Sequence, residues 1–294
     1  MAGMNDRNFP ASKAVVVLAS GLLMGLFLVA LLTQLLGRVG ALDQLGVMRV
    51  ATALQNVIMF MLPAVAVGAL FGGKPMQFLG LSKMPSAKAI VGIIAVSAVM
   101  TPAMNWLVAW NASFTLPEPL HAVEEWMRAQ EASAQAATDL LLSATSWADL
   151  LLTIACVGLL TGLGEEMFFR GALQRICQCG MRRSHLAVWT AAFVFSALHF
   201  QFFGFVPRLV LGAVFGYAYL WSGSLWVPVI GHALNNSAVV AFTWMANRGI
   251  SDGGVSDAGS ASPWLAVGSA IATVALLYAY RRILTPKPTD NGQR

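Results

Sequence analysis

The chain has 294 residues, of which 57% are hydrophobic and only 11% charged, with a net charge of +5 and a mean hydropathy of +0.69. A soluble globular protein carries about 25% charged residues, so this chain cannot clothe a water-facing surface, and a soluble enzyme or a disordered protein is excluded. The positive charge speaks to membrane topology and not to nucleic acid, and Cys156, Cys177 and Cys179 are too few and too clustered for a disulfide scaffold.

A transmembrane helix needs about 20 mostly apolar residues, and eight runs are candidates. In chain order they are 14–36, 51–71, 89–110, 150–176, 186–203, 209–221, 225–246 and 264–283. The first exceeds the h-region of a signal peptide and has no clear cleavage site after it, so it is expected to stay as a span. The fourth is interrupted by Glu165, Glu166 and Arg170, and the sixth is short and rich in glycine. With the N-terminus inside, 12 of the 18 Lys and Arg fall on the inner side, 5 on the outer side, and Arg170 lies within a span. By the positive-inside rule this asymmetry predicts both termini in the cytoplasm. The expected fold class is an all-α, polytopic membrane protein of about eight transmembrane helices. Three units are expected: 1–147 with three spans and an outer amphipathic helix, 148–246 as the chemical core, and 247–294 with a loop, the last span and a tail.

Outside the spans, 117–142 is the one sizeable polar insert. Leu120, Val123, Trp126 and Met127 recur there at helical spacing between acidic residues, which predicts an interfacial amphipathic helix on the outer face. The segment 249–263 reads as a flexible loop and 285–294 as a disordered tail.

Ionisable residues inside a span cost about 2.5–3.5 kcal/mol each and are functional candidates by default. Beyond Arg170 these are Glu165, Glu166, His199 and His232, in the segments GEEMFFRG, FSALHF and GHALNN. His121 and His185 lie outside the apolar runs and read as exposed interfacial residues. Glu166 and Arg170 are i and i+4, share a helix face and can pair. Glu165 is rotated by about 100° from Glu166, so Glu166 is expected to be held by Arg170 while Glu165 is left for chemistry. Phe195 can pack beneath His199, and His232 shares a face with Asn236. Counted from the nearest charged or turn residues, Glu165, His199 and His232 each lie about 13–15 Å deep, near the middle of a hydrocarbon core about 30 Å thick. A single intramembrane histidine often serves only as an interhelical hydrogen-bonder; two carboxylates, two histidines and an asparagine at one depth point to a site.

Glutamate with histidine is a pair that activates water, and a second histidine with an asparagine supplies donors for an oxyanion. Glu165, His199 and His232 equally make the ligand set of a hydrolytic zinc site. Both readings predict hydrolysis, and spacing does not separate them.

The motifs E-E-x-x-x-R (Glu165, Glu166, Arg170), F-x-x-x-H (Phe195, His199) and H-x-x-x-N (His232, Asn236), in this order on successive helices, resemble the CPBP family. This is the CAAX-protease and bacteriocin-processing family of intramembrane proteases, related to the Ras-converting endopeptidases. The resemblance covers 150–246 and implies an eight-helix membrane fold with a cavity that holds the site. It implies that Glu165 and His199 activate water, that His232 and Asn236 stabilise the oxyanion, and that Glu166 and Arg170 support them. It leaves open whether a divalent metal such as zinc or a metal-free, glutamate-activated water does the work. The partners expected are membrane lipid and a peptide or protein substrate, lipidated or CAAX-like, in a bacterial inner membrane. The competing readings are an ion- or proton-coupled transporter, whose midplane polar groups would bind the ion, and a non-catalytic bacteriocin-immunity membrane protein.

Overall fold

The structure is a computed structural model describing residues 9–143, 145–250, 259, 260 and 262–285. The tail expected over 285–294, apart from Thr285, and most of the loop expected over 249–263 lie outside the described residues. Within them the chain forms helices, turns and loops, with no strand. We number the helices α1 (Ala11–Val39), α2 (Gln44–Gly72), α3 (Pro75–Leu79), α4 (Ala87–Ala112), α5 (His121–Leu141), α6 (Trp147–Met181), α7 (Ser184–Ala197), α8 (Phe205–Ser222), α9 (Trp226–Asn247) and α10 (Pro263–Leu284).

Local chemistry sets several boundaries. Asp43 and Ser86 accept hydrogen bonds from the backbone N–H of Gly46 and Ala89 and so cap α2 and α4. The chain leaves α1 through Gly40 at φ 66° and α8 through Gly223 at φ 65°, left-handed conformations that favour glycine. Pro102 sits inside α4 and removes an N–H from its ladder. Ser269 of α10 is placed against this break, donating to the Val99 carbonyl at 2.6 Å and accepting from the Ala103 N–H at 3.2 Å. A hydroxyl on a neighbouring helix is how a proline kink is tolerated away from water.

Among the described residues six helical stretches are long and apolar enough to cross a membrane: α1, α2, α4, α6, the stretch Phe202–Ser222 that contains α8, and α10. All eight expected runs contain a helix, but two differ in kind from the rest. α7 has 14 residues, which at 1.5 Å each reach only about 21 Å. α9 has 22 residues but carries His232, Asn235, Asn236 and Ser237 along its length. The expectation of one continuous helix over 186–203 is corrected: α7 ends at Ala197 and a turn follows.

Two apolar clusters flank the functional region. One gathers Phe60, Phe168, Phe169 and Phe195 from α2, α6 and α7. The other gathers Ile93, Val96, Phe215 and Tyr280 from α4, α8 and α10. Between them α6 and α9 approach closely at Gly162, where an added Cβ would stand 3.0 Å from the Ala233 backbone nitrogen. Small residues allow such approaches between membrane helices. Gly162→Ala is therefore expected to cost about 1–3 kcal/mol, as overpacking does, and to lower the thermal unfolding midpoint in detergent.

The insert 117–142 is helical as α5, but it turns Glu124, Met127 and Glu131 toward the protein and leaves Leu120, Val123 and Trp126 exposed. A hydrogen bond from the Leu116 N–H, followed by one from Arg128, holds the Glu124 carboxyl below its usual range.

Candidate active site

The two glutamates occupy a short α-helical stretch of α6, Thr161–Glu166, between two wider π-helical stretches, Ile154–Leu160 and Met167–Gln174. Such widenings are frequent at functional sites. Glu166 and Arg170 pair at 2.6 Å with both side chains wholly buried. The Arg170 guanidinium also donates to the Gly212 carbonyl at 3.1 Å and lies over the Phe195 and Phe215 rings at 4.7 and 5.7 Å. One turn on, Gln174 Nε2 donates to the Gly216 carbonyl at 3.0 Å. Gly212 and Gly216 form a G-x-x-x-G spacing that opens the α8 backbone to both side chains.

His232, buried on α9, bridges the two carboxylates. Its Nδ1 lies 2.7 Å from Glu166 Oε1, and its Nε2 lies 3.6 Å from Glu165 Oε2. Because an ionised carboxylate only accepts, Nδ1 carries a proton, and Nε2 is directed at Glu165. The ring stacks on Phe215 at 5.4 Å between centroids. Glu165 and Glu166 thus differ sharply despite adjacency. Glu166 is sealed at 0% exposure, with one oxygen serving both Arg170 and His232, whereas Glu165 keeps 7% exposure and no hydrogen bond among the described residues.

His199 stands on the turn after α7, not on a helix. Its Nδ1 donates to the Phe195 carbonyl at 2.8 Å and its ring meets Phe195 edge-on at 4.9 Å. A carbonyl only accepts, so the neutral ring keeps its Nε2 lone pair free. The Phe195 ring links it to the rest of the site, meeting the His199 ring at 4.9 Å and the His232 ring at 6.1 Å between centroids. Glu165, Glu166, Arg170, His199 and His232 are therefore brought together.

Asn236 is turned elsewhere. Its Nδ2 donates to the Val157 carbonyl at 3.1 Å and its Oδ1 receives the Asn235 carboxamide at 3.4 Å. It shares the His232 face of α9, but the imidazole and carboxamide do not converge. Nor is the zinc set gathered: among the described residues no three His, Cys, Asp or Glu side chains are grouped to hold a metal ion. Glu165, His199 and His232 as arranged here do not fit that group.

Residues 147–238 match the family model described as type II CAAX prenyl endopeptidase Rce1-like. This segment is similar to that endopeptidase domain. Its limits enclose α6 from its first residue and α9 through Asn236, so every residue of the site lies inside it. Over 78 residues the chain is 36% identical to the uncharacterized protein YpbD of Bacillus subtilis (strain 168), covering 25% of this chain and 36% of that protein. No solved structure matches. The chain is thus an integral membrane protein in which residues 147–238 are similar to a CAAX-type membrane protease family.

Two supports of this segment escape a reading by motif. Gln174 repeats the Arg170 contact one turn later, and its signal was a second polar residue at i+4. Asn56, buried in the π-helical stretch Gln55–Met61 of α2, donates to Thr161 Oγ1 at 3.0 Å, one turn before Glu165. Its signal was an amide within the apolar run 51–71.

Proposed function

We propose that this protein is an intramembrane endopeptidase that hydrolyses peptide bonds of membrane-associated peptides with a water activated by Glu165 and His199. The observation that carries the proposal is the inequality of the adjacent carboxylates. Glu166 is consumed by Arg170 and His232, while Glu165 is uncommitted, with His232 Nε2 at 3.6 Å, and His199 keeps its Nε2 free of hydrogen bonds among the described residues.

In the proposed reaction Glu165 removes a proton from water, and His199 Nε2 accepts the water's second hydrogen and so aims its lone pair. The water oxygen attacks the peptide carbonyl carbon. His232, protonated on both nitrogens and held by Glu166, presents its Nε2–H to the oxygen that gains charge. The C–N bond then breaks, and the proton taken by Glu165 passes to the departing amine. Asn236 can join at the oxyanion only by exchanging its bond to the Val157 carbonyl. Because the donor set does not fit a metal ion, no step is routed through one.

The substrate class proposed is peptides anchored in the bilayer, including lipidated peptides with CAAX-like ends, as the family description suggests. We place the chemistry in 148–246, the chain in a bacterial inner membrane, and both termini in the cytoplasm, in keeping with the 12-to-5 asymmetry of basic residues.

The test compares peptides extracted from membranes of cells with and without the chain, each in the presence and absence of a chelator. New peptide termini are expected only when the chain is expressed, with or without chelator. Identical profiles overturn the endopeptidase reading; termini that vanish with chelator overturn the metal-free step.

A further inference from the structure

His199 is the one member of the site that no helix holds. The turn that carries it, 198–204, includes Phe200 at φ 52°, a left-handed conformation that a bulky side chain seldom adopts. Something outside the turn must hold that shape, since a non-glycine residue there costs of order 1–3 kcal/mol.

The contacts around Gln201 supply the restraint. From the first turn of α8, Arg208 reaches back over the turn with both terminal nitrogens. Nη1 donates to Gln201 Oε1 at 3.0 Å, and Nη2 donates to the Gln201 backbone carbonyl. The guanidinium lies against Gly204, where an added Cβ would stand 2.7 Å from Nη1 and 2.9 Å from Nη2. The absence of a side chain at residue 204 is what lets the arginine fold back. The far side of the turn is held separately: Asn111 Nδ2 donates to the Phe202 carbonyl, Glu131 accepts from the Phe203 N–H, and Arg128 lies 4.4 Å from the Phe203 ring. Among the described residues only the Arg208 fork grips Gln201, two residues from His199. The same guanidinium is within electrostatic range of Glu165 and His199.

We infer that Arg208 is a positioning residue for His199, acting through a two-point clamp on Gln201 for which Gly204 leaves room. The inference rests on the hydrolytic reading above. A planar fork is required, because lysine carries the charge but cannot meet two oxygens in fixed geometry. Displacing a reacting group by about 1 Å costs on the order of 100-fold in rate, so the clamp acts on turnover and not on substrate capture.

Membranes holding each variant are incubated with the membrane-peptide fraction from cells that carry Glu165→Gln, and new termini are followed over a dilution series of that fraction. Arg208→Lys and Gln201→Leu are each expected to lower apparent kcat by about 10- to 100-fold with KM unchanged within about twofold. The double variant should lose no more than the worse single one, as residues in one clamp are coupled. Gly204→Ala should share the loss, with unchanged unfolding midpoints throughout. Wild-type kcat in Arg208→Lys, additive losses in the double variant, or a loss confined to KM overturns the clamp. Should Arg208→Lys fail to accumulate, Gln201→Leu with wild-type kcat overturns it alone. No new termini from the wild-type chain is a different result, and sinks the hydrolytic reading itself.

Discussion

Glu165→Gln is expected to abolish the chain-dependent peptide termini, lowering their rate of formation by about 1,000-fold, while the protein accumulates and unfolds as the wild type does. General-base catalysis supplies about 10²–10⁴, and glutamine keeps the shape of glutamate while losing its basicity. Stability should hold because Glu165 gives up no hydrogen bond among the described residues: His232 Nε2 stands 3.6 Å from its Oε2. His199→Leu should fall in the same way, since it leaves no acceptor for the water's second hydrogen. Peptide profiling of membranes from matched expression levels reads both. Normal turnover in Glu165→Gln would sink the reading, and flux of an ion into proteoliposomes that depends on Glu165 would replace it with transport.

Much of this site is legible in the sequence for a physical reason. In a chain with 11% charged residues, each ionisable group within an apolar run stands out. The i, i+4 rule gives the Glu166–Arg170 contact because both residues lie on one continuous helix, where sequence distance fixes spatial distance. The same rule brings Phe195 beneath His199, because the last turn of α7 runs almost to the histidine. It fails to say that His199 leaves the helix. The run FSALHFQFFGF is mostly apolar with no turn residue before Gly204, and the turn is imposed by Arg208, Asn111 and Glu131 from three other helices. Tertiary partners of that kind leave no local period. His232 and Asn236 show the remaining limit. Spacing puts them on one face, yet a face about 100° wide lets the imidazole turn to Glu166 and the carboxamide to Val157. The π-helical stretches are equally hidden, since no residue type marks a turn that closes one residue later.

Arg170→Met is expected to be among the most destabilising substitutions in the chain, at about 3–5 kcal/mol, the cost of leaving one partner of a buried ion pair alone. Arg170 is wholly buried, and its Nη1 and Nη2 serve Glu166 and Gly212. Methionine fills a similar volume between the Phe195 and Phe215 rings, so the loss is of charge and hydrogen bonds and not of packing. Glu166 would then be left fully buried with only His232 Nδ1 as a partner, and either that histidine or the carboxylate must take up a proton. The discriminating variant is the double one. Arg170→Met with Glu166→Gln removes the stranded charge, and the glutamine Oε1 can still accept from His232 Nδ1. It is expected to recover most of the lost stability, since neutral replacement of a buried pair is often close to neutral. Unfolding midpoints of the wild type, both single variants and the double in one detergent give the coupling directly. A double variant as unstable as Arg170→Met alone would show that the bond to Gly212 and the two aromatic faces, not the ion pair, make Arg170 indispensable.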